Sequence, residues 1–438
     1  MSESLFLDQF LRERYGISDE SLKLAKELEC ELEPVFRAID ERRDYNQLRV
    51  LSAFQKVRVS EGDFATSRGY GYNDAGRDKL EEIYAEVFGS EAALVRISVM
   101  SGTCAITTAL MALLRPGDEL LAISGRPYDT LASVIGFDEP LRDATKQTEL
   151  GSGSLRDFSI AYREVALTES GKADLDAIRG AISERTRVVH IQRSRGYDQR
   201  PALSIDEIQE MIELVKSIRE DVIVFVDNCY GEFVETREPC HVGADLVAGS
   251  LIKNPGGGLV PCGAYIAGRR DLVELCANRY SAPGLGAELG ANLGYNRLMY
   301  QGFYLAPHVV AETLKGMVFA AAYLERRKFK TMPASSDWRS DIVQTIEFKK
   351  REEMIAFVEA IQAAAPVDAF ARPIPSPMPG YDSEVIMAAG AFVQGASIEL
   401  SADGPLREPY TVYMQGGLVY ANIKLAILMA DRAFLPEN

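Results

Sequence analysis

The chain has 438 residues, of which 47% are hydrophobic and 26% charged, with a formal net charge of −16. That length exceeds one simple core and predicts two domains behind an N-terminal arm, with the composition of an ordinary globular chain. The acidic surplus excludes broad binding to nucleic acid or to anionic membranes, although a local anion site needs only a few donors.

The first 62 residues are polar and rich in helix formers, and they predict a helical arm. From residue 63 short apolar runs alternate with helical patterns. A strand is expected over 93–97, and a helix over 103–114 that Arg115-Pro116-Gly117 stops. Strands follow at 119–123 and 187–191, a helix at 205–218, and strands at 222–226, 245–250 and 262–266. Strands alternating with helices imply βα units around a mostly parallel sheet, so the class is α/β with a large domain over 63–305. Beyond it the texture changes. A helix over 309–328, a strand over 342–348 and a helix over 351–364 lead to a proline-rich stiff loop over 372–380. Strands at 385–393, 397–401 and 411–415 and a last helix from about 418 complete an α+β domain over 306–438.

Six cysteines stand at positions 30, 104, 229, 240, 262 and 276 without a CxxC pair, and histidines occur only at 190, 241 and 308. Neither pattern supports a metal centre, and none is expected. The N-terminus lacks the succession of a secretory signal, and no run reaches the length of a membrane span. A reduced, cytoplasmic protein with no membrane partner is the expectation.

Three motifs converge on one end of the expected sheet. Asp227 ends the apolar run of residues 222–226, and Lys253 follows twenty-six residues later in Ser250-Leu251-Ile252-Lys253-Asn254-Pro255-Gly256-Gly257-Gly258. An acid ending one buried strand and a lysine after the next fit a pyridoxal 5'-phosphate (PLP) site. The lysine holds the cofactor as a Schiff base, and the acid keeps the ring nitrogen protonated. Ser101-Gly102-Thr103 lies between a strand and a helix N-terminus, where free N–H groups suit a phosphate. Ser250 adds a hydroxyl on the lysine's side. Tyr128, beyond the strand ending at Ile123, is a candidate to stack on the pyridine ring, or else a packed loop tyrosine. Arg407, between strands of the second domain, is a candidate for a substrate carboxylate, or else a solvated partner of Glu408.

Over residues 50–430 the chain resembles a known group, the fold-type I PLP enzymes related to cystathionine and methionine γ-lyases. More closely, it is similar to the family of methionine γ-lyase-like or "aluminium resistance" proteins. The resemblance is carried by Gly69-Tyr70-Gly71-Tyr72-Asn73-Asp74, Met100-Ser101-Gly102-Thr103 and Gln192-Arg193-Ser194-Arg195-Gly196-Tyr197. Val226-Asp227-Asn228-Cys229-Tyr230, the lysine loop and Tyr300-Gln301-Gly302-Phe303 carry the rest. It implies the PLP-dependent transferase-like fold of aspartate aminotransferase, with Lys253 carrying the cofactor and Asp227 at the pyridinium. It further implies Gly102, Thr103 and Ser250 at the phosphate, Tyr128 as a stacking and acid/base tyrosine, and Arg407 at the substrate carboxylate. Such enzymes form homodimers or homotetramers that share active sites, and Tyr70 or Tyr72 would be the phosphate contact lent to a neighbour. The better-known γ-lyases carry a Tyr-x-Arg pair there, which Ser67-Arg68-Gly69-Tyr70-Gly71-Tyr72 does not reproduce, and Ile252 replaces a hydroxyl residue before the lysine. The expected activity is elimination of a thiol from a small sulfur amino acid of the methionine, cystathionine or homocysteine type, giving a 2-oxo acid and ammonia. The alternatives are γ-replacement, transamination or aldol cleavage on the same cofactor, or a non-catalytic, stress-related homologue.

Overall fold

The computed structural model describes residues 3–137, 151–196, 198–377 and 383–434. Tyr197 and the 378–380 end of the expected proline-rich loop lie outside the described residues. The chain divides into two compact units, Tyr45–Pro307 and Met1–Asp44 with His308–Asn438.

In chain order the first elements are α1 (Glu3–Tyr15), α2 (Asp19–Val57), α3 (Ala75–Phe88), β1 (Ala92–Arg96), α4 (Gly102–Leu113) and β2 (Glu119–Ala122). Next come α5 (Asp129–Ile135), β3 (Ala161–Glu164), α6 (Leu175–Ala181), β4 (Thr186–Gln192), α7 (Ile205–Ile218) and β5 (Ile223–Asp227). β6 (Leu246–Ser250), β7 (Ala264–Gly268), α8 (Arg270–Tyr280) and α9 (Asn296–Arg326) follow. The chain closes with β8 (Lys330–Met332), β9 (Val343–Phe348), α10 (Arg351–Ala363), β10 (Val385–Ala388), β11 (Ser401–Pro405), β12 (Tyr410–Gln415) and α11 (Tyr420–Phe434).

The unit Tyr45–Pro307 is built on a seven-stranded sheet in the order β1-β7-β6-β5-β4-β2-β3. The pairs β6–β5, β5–β4, β4–β2 and β2–β3 are parallel, and β7 runs antiparallel to both β6 and β1. β1 therefore points the same way as β6, and the carboxyl ends of β1, β2, β4, β5 and β6 share one edge. β5, β6 and β7 are buried along their whole length. Continuous apolar strands of this kind need cover on both faces. α4 supplies part of it: Ala105, Ile106, Ala109, Leu110 and Leu113 form a stripe at helical spacing packed into the core with Phe225, Leu246 and Ala248. Local signals fix the helix starts. Ser101 caps α4 by accepting from Cys104 N, and Ser204 with Glu207 makes a capping box at α7.

The other unit carries an antiparallel sheet in the order β10-β11-β12-β9-β8. Beneath it Asp431, 1% exposed, accepts from Ser21 at 2.7 Å, Tyr323 at 2.6 Å and Arg327 at 2.7 Å. All three reach one oxygen, Oδ2, and Arg327 supplies the countercharge that a buried carboxylate needs. Two expectations in this unit need correction. The strand expected over 397–401 is Ser401–Pro405, because residues 397–400 form a turn and pairing with β12 starts at Ser401. The strand expected over 385–393 stops at Ala388, where the chain turns through Gly390, whose Cα packs too closely on Val367 O and the Ala365 side chain to carry a Cβ.

Candidate active site

Apart from Tyr70 and Tyr72, each candidate residue of the first unit lies at or beyond the carboxyl end of a strand on the shared edge of its sheet. Asp227 is the last residue of β5 and is 4% exposed. Its Oδ1 accepts from Cys229 N at 3.1 Å, and among the described residues no lysine, arginine or histidine pairs with it within ion-pair distance. Lys253 stands three residues beyond the end of β6, its N–H donating to Ser250 O at 3.3 Å. Its Nζ lies 4.0 Å from the centre of the Tyr230 ring. Tyr230 adopts φ +71°, a left-handed conformation uncommon for a bulky residue, and that turn puts the ring against the lysine. Burial disfavours the ammonium, yet Cys229, Tyr230, Asp227 and Tyr128 around it favour the charged form. Together they hold the lysine well above its usual value.

The segment that leaves β1 leads to the start of α4. A Cβ added to Gly102 would lie 3.3 Å from Cys229 Sγ and 3.3 Å from Ser250 Cβ, so the glycine lets this helix start approach the ends of β5 and β6. Ser101 Oγ is occupied in capping Cys104 N at 3.1 Å. Thr103 Oγ1 and Tyr128 OH are hydrogen-bonded at 2.6 Å. Burial, joined by the Asp227 charge, pushes the Tyr128 phenol up to about 12, so it keeps its proton at neutral pH. The structure thus brings together Ser101, Gly102, Thr103, Tyr128, Asp227, Ser250 and Lys253. Tyr70 and Tyr72 stand apart, 69% and 52% exposed, with their rings 5.6 Å from each other. Their loop is clamped within its unit: Arg77 donates to Gly71 O at 2.9 Å and to Gly290 O at 3.2 Å, and Gly290 N donates to Tyr70 O at 3.0 Å. Arg407 belongs to the other unit, exposed on the turn between β11 and β12.

Sequence reasoning gave no role to the residues that hold this edge in place. Gln192, opposite Asp227 in the β4–β5 register, accepts from Tyr128 N at 2.8 Å through its Oε1. Arg193, wholly buried, donates to Asn228 Oδ1 at 2.8 Å and to Glu235 Oε1 at 3.0 Å, tying down the segment that leaves Asp227. Glu232 and Tyr265, both 0% exposed, are joined at 2.8 Å. The glycines after the lysine serve packing rather than phosphate. A Cβ on Gly257 would fall 2.4 Å from Gly302 O, so the lysine loop leans directly on α9. The advance signals were the family motif that contains Gln192 and Arg193 and, for Glu232 and Tyr265, only a polar residue beside a buried strand.

The residues present fit PLP. A nearly buried carboxylate without a cationic partner is what a protonated ring nitrogen satisfies, and the side-chain-free start of a twelve-residue helix is what a phosphate needs. Comparison with known proteins agrees. The methionine gamma-lyase family model matches residues 21–435. The chain belongs to the methionine gamma-lyase family. The protein YnbB of Bacillus subtilis is 54% identical over 95% of this chain and 97% of its own length. A crystal structure from Clostridium novyi, named as a carbon–sulfur lyase involved in aluminum resistance, is 46% identical. It covers 99% of this chain and 100% of its own, at a TM-score of 0.92. The PLP-dependent protein YhfS of Escherichia coli, only 18% identical, shares the fold at a TM-score of 0.60 over 91% of this chain and 97% of its own. The fold is that of the fold-type I PLP enzymes, and family membership implies PLP as the cofactor.

Proposed function

We propose that this family member is a PLP-dependent lyase that eliminates a thiol from a small sulfur amino acid, leaving a 2-oxo acid and ammonia. The observation that carries the reading is the placement, on one sheet edge, of a buried Asp227 without a cationic partner, of Lys253 against the Tyr230 ring, and of Tyr128 hydrogen-bonded to Thr103. Bound PLP supplies an electron sink for the negative charge that develops at the substrate α-carbon. Lys253 is the base for the α-proton. In the free protein the Asp227 charge is among the influences that hold its own proton on, and a ring cation paired with Asp227 would weaken that hold. Tyr128, fixed by Thr103 Oγ1 and by Gln192 through its backbone N–H, donates its phenolic proton to the departing sulfur. The Gly102 and Thr103 N–H groups at the start of α4, with Thr103 Oγ1, would hold the phosphate. Tyr70 and Tyr72, exposed on a clamped loop, are suited to serve a second copy's site. The names of similar proteins support carbon–sulfur bond cleavage as the chemistry.

The test is to incubate the purified protein with methionine, homocysteine and cystathionine and to assay free thiol and keto acid. Release of both, abolished in Lys253→Ala, is expected. Release of neither from any of the three defeats the lyase reading. Product that appears only when a keto acid acceptor is added would favour transamination instead.

A further inference from the structure

Glu232 is used by no step above, and its surroundings are unusual for a carboxylate. It is 0% exposed, and its Oε1 accepts from Tyr265 OH at 2.8 Å. Its Oε2 is buried with no hydrogen-bond partner, and among the described residues no basic side chain forms an ion pair with it. The groups that face it are Tyr84 from α3, Tyr265 from β7, Cys229 and Glu238 from the segment after β5, and Lys253 beyond β6. The nearby guanidinium of Arg193 is taken by Glu238 at 3.3 Å, Glu235 and Asn228. A bare carboxylate in that setting is very costly, whereas a neutral acid is not.

Its links run to both halves of the site. Glu232 O accepts from Asn254 Nδ2 at 2.9 Å, and Asn254 is the residue after Lys253. Tyr265 OH, besides meeting the carboxyl, lies 3.3 Å from Asn228 Nδ2, and Asn228 is the residue after Asp227. Gly249 on β6 leaves the room: a Cβ there would sit 2.4 Å from Glu232 Oε1.

Resting on the PLP reading for its role, we propose that Glu232 is a positioning residue that works uncharged, tying the segment beyond Asp227 to the turn that carries Lys253. Burial, with the neighbouring Glu238 charge, pushes its carboxyl up to about 8, in keeping with that form.

Two measurements on the full-length protein test this, comparing the parent with Glu232→Gln, an uncharged isostere. The first is thermal unfolding from pH 5 to 9, with and without added PLP. An acid whose folded value exceeds its unfolded one loses stability as pH rises between the two, because only the unfolded chain ionises freely. Glu232→Gln is therefore expected to gain on the parent across pH 5–8, with the gap levelling above that. A gap that does not change with pH overturns the proposal, and the arm without PLP gives this answer even if the protein never binds the cofactor. The second is pH titration of the visible band of the cofactor-loaded protein. The parent is expected to show an inflection near pH 8 that Glu232→Gln lacks, with both bands matching at pH 7. Tyr265→Phe, which keeps the ring and removes the donor, is expected to shift the band's pH midpoint. Titration curves that coincide for all three proteins overturn the positioning role.

Discussion

Gly249→Ala is a small change with a large expected effect. Gly249 lies on β6, one residue before Ser250, with no left-handed φ, so alanine meets no backbone obstacle. The obstacle is space. The new Cβ would fall 2.4 Å from Glu232 Oε1, 2.5 Å from Tyr265 Cε1 and 2.8 Å from Tyr265 Cζ, and both neighbours are fully buried. Overpacking of this kind costs about 1–3 kcal/mol, and losing the Tyr265–Glu232 hydrogen bond adds ~1 kcal/mol. Against that stands a gain of roughly 0.4–1 kcal/mol from the stiffer unfolded chain. The net loss is about 1–4 kcal/mol. Urea unfolding followed by far-UV circular dichroism measures it as a midpoint lowered by roughly 1 M, given slopes of about 1–3 kcal/mol/M. Because β6 delivers Lys253, PLP affinity is expected to fall as well. A variant as stable as the parent, or more stable, would refute the steric reasoning and with it the tight clamp behind the lysine strand.

Other substitutions separate the roles assigned to single groups. Tyr128→Phe keeps the ring but loses the proton donor and the 2.6 Å bond to Thr103, so the visible band should persist while kcat drops by about 10²–10⁴-fold. With the phenol held up to about 12, Tyr128 stays protonated as pH rises through 9, so any loss of activity below that pH should survive in Tyr128→Phe. Gly102→Ala places a Cβ at 3.3 Å from two neighbours, a contact that slight shifts relieve. It should fold normally yet bind PLP more weakly, as equilibrium titration of the visible band would show. Arg407→Lys, on the exposed turn between β11 and β12, should leave the band unchanged and raise KM, because lysine cannot grip a carboxylate bidentately.

What the sequence made legible was whatever local chemistry determines. The α7 boundaries follow from Ser204 and Glu207 at one end and the apolar stripe behind them, and the structure has the helix at Ile205–Ile218 as expected. Asp227 and Lys253 announced themselves jointly, because an acid ending an apolar strand, common by itself, is followed twenty-six residues later by a lysine in Ser-x-x-Lys and a glycine-rich loop. α9 was harder. Pro307 looks like a helix boundary in sequence, yet the helix runs through it from Asn296, its earlier turns holding Tyr300 and Phe303 in the core. β3 was missed because its four residues are only half-buried or exposed and carry no alternation. The displacement of β11 to Ser401–Pro405 reflects register, which depends on pairing with β12 rather than on the strand's own residues. The contacts behind the site escaped for the same reason. Glu232 meets Tyr265, and Gly257 meets Gly302, across separations that no local pattern records.

The central claim is that Lys253 carries PLP opposite Asp227, and the visible absorption spectrum of the purified protein beside Lys253→Ala tests it most directly. A band in the parent that is lost or displaced in the variant is the predicted result. A parent that stays colourless after PLP is added, or a variant with an unchanged band, would contradict it.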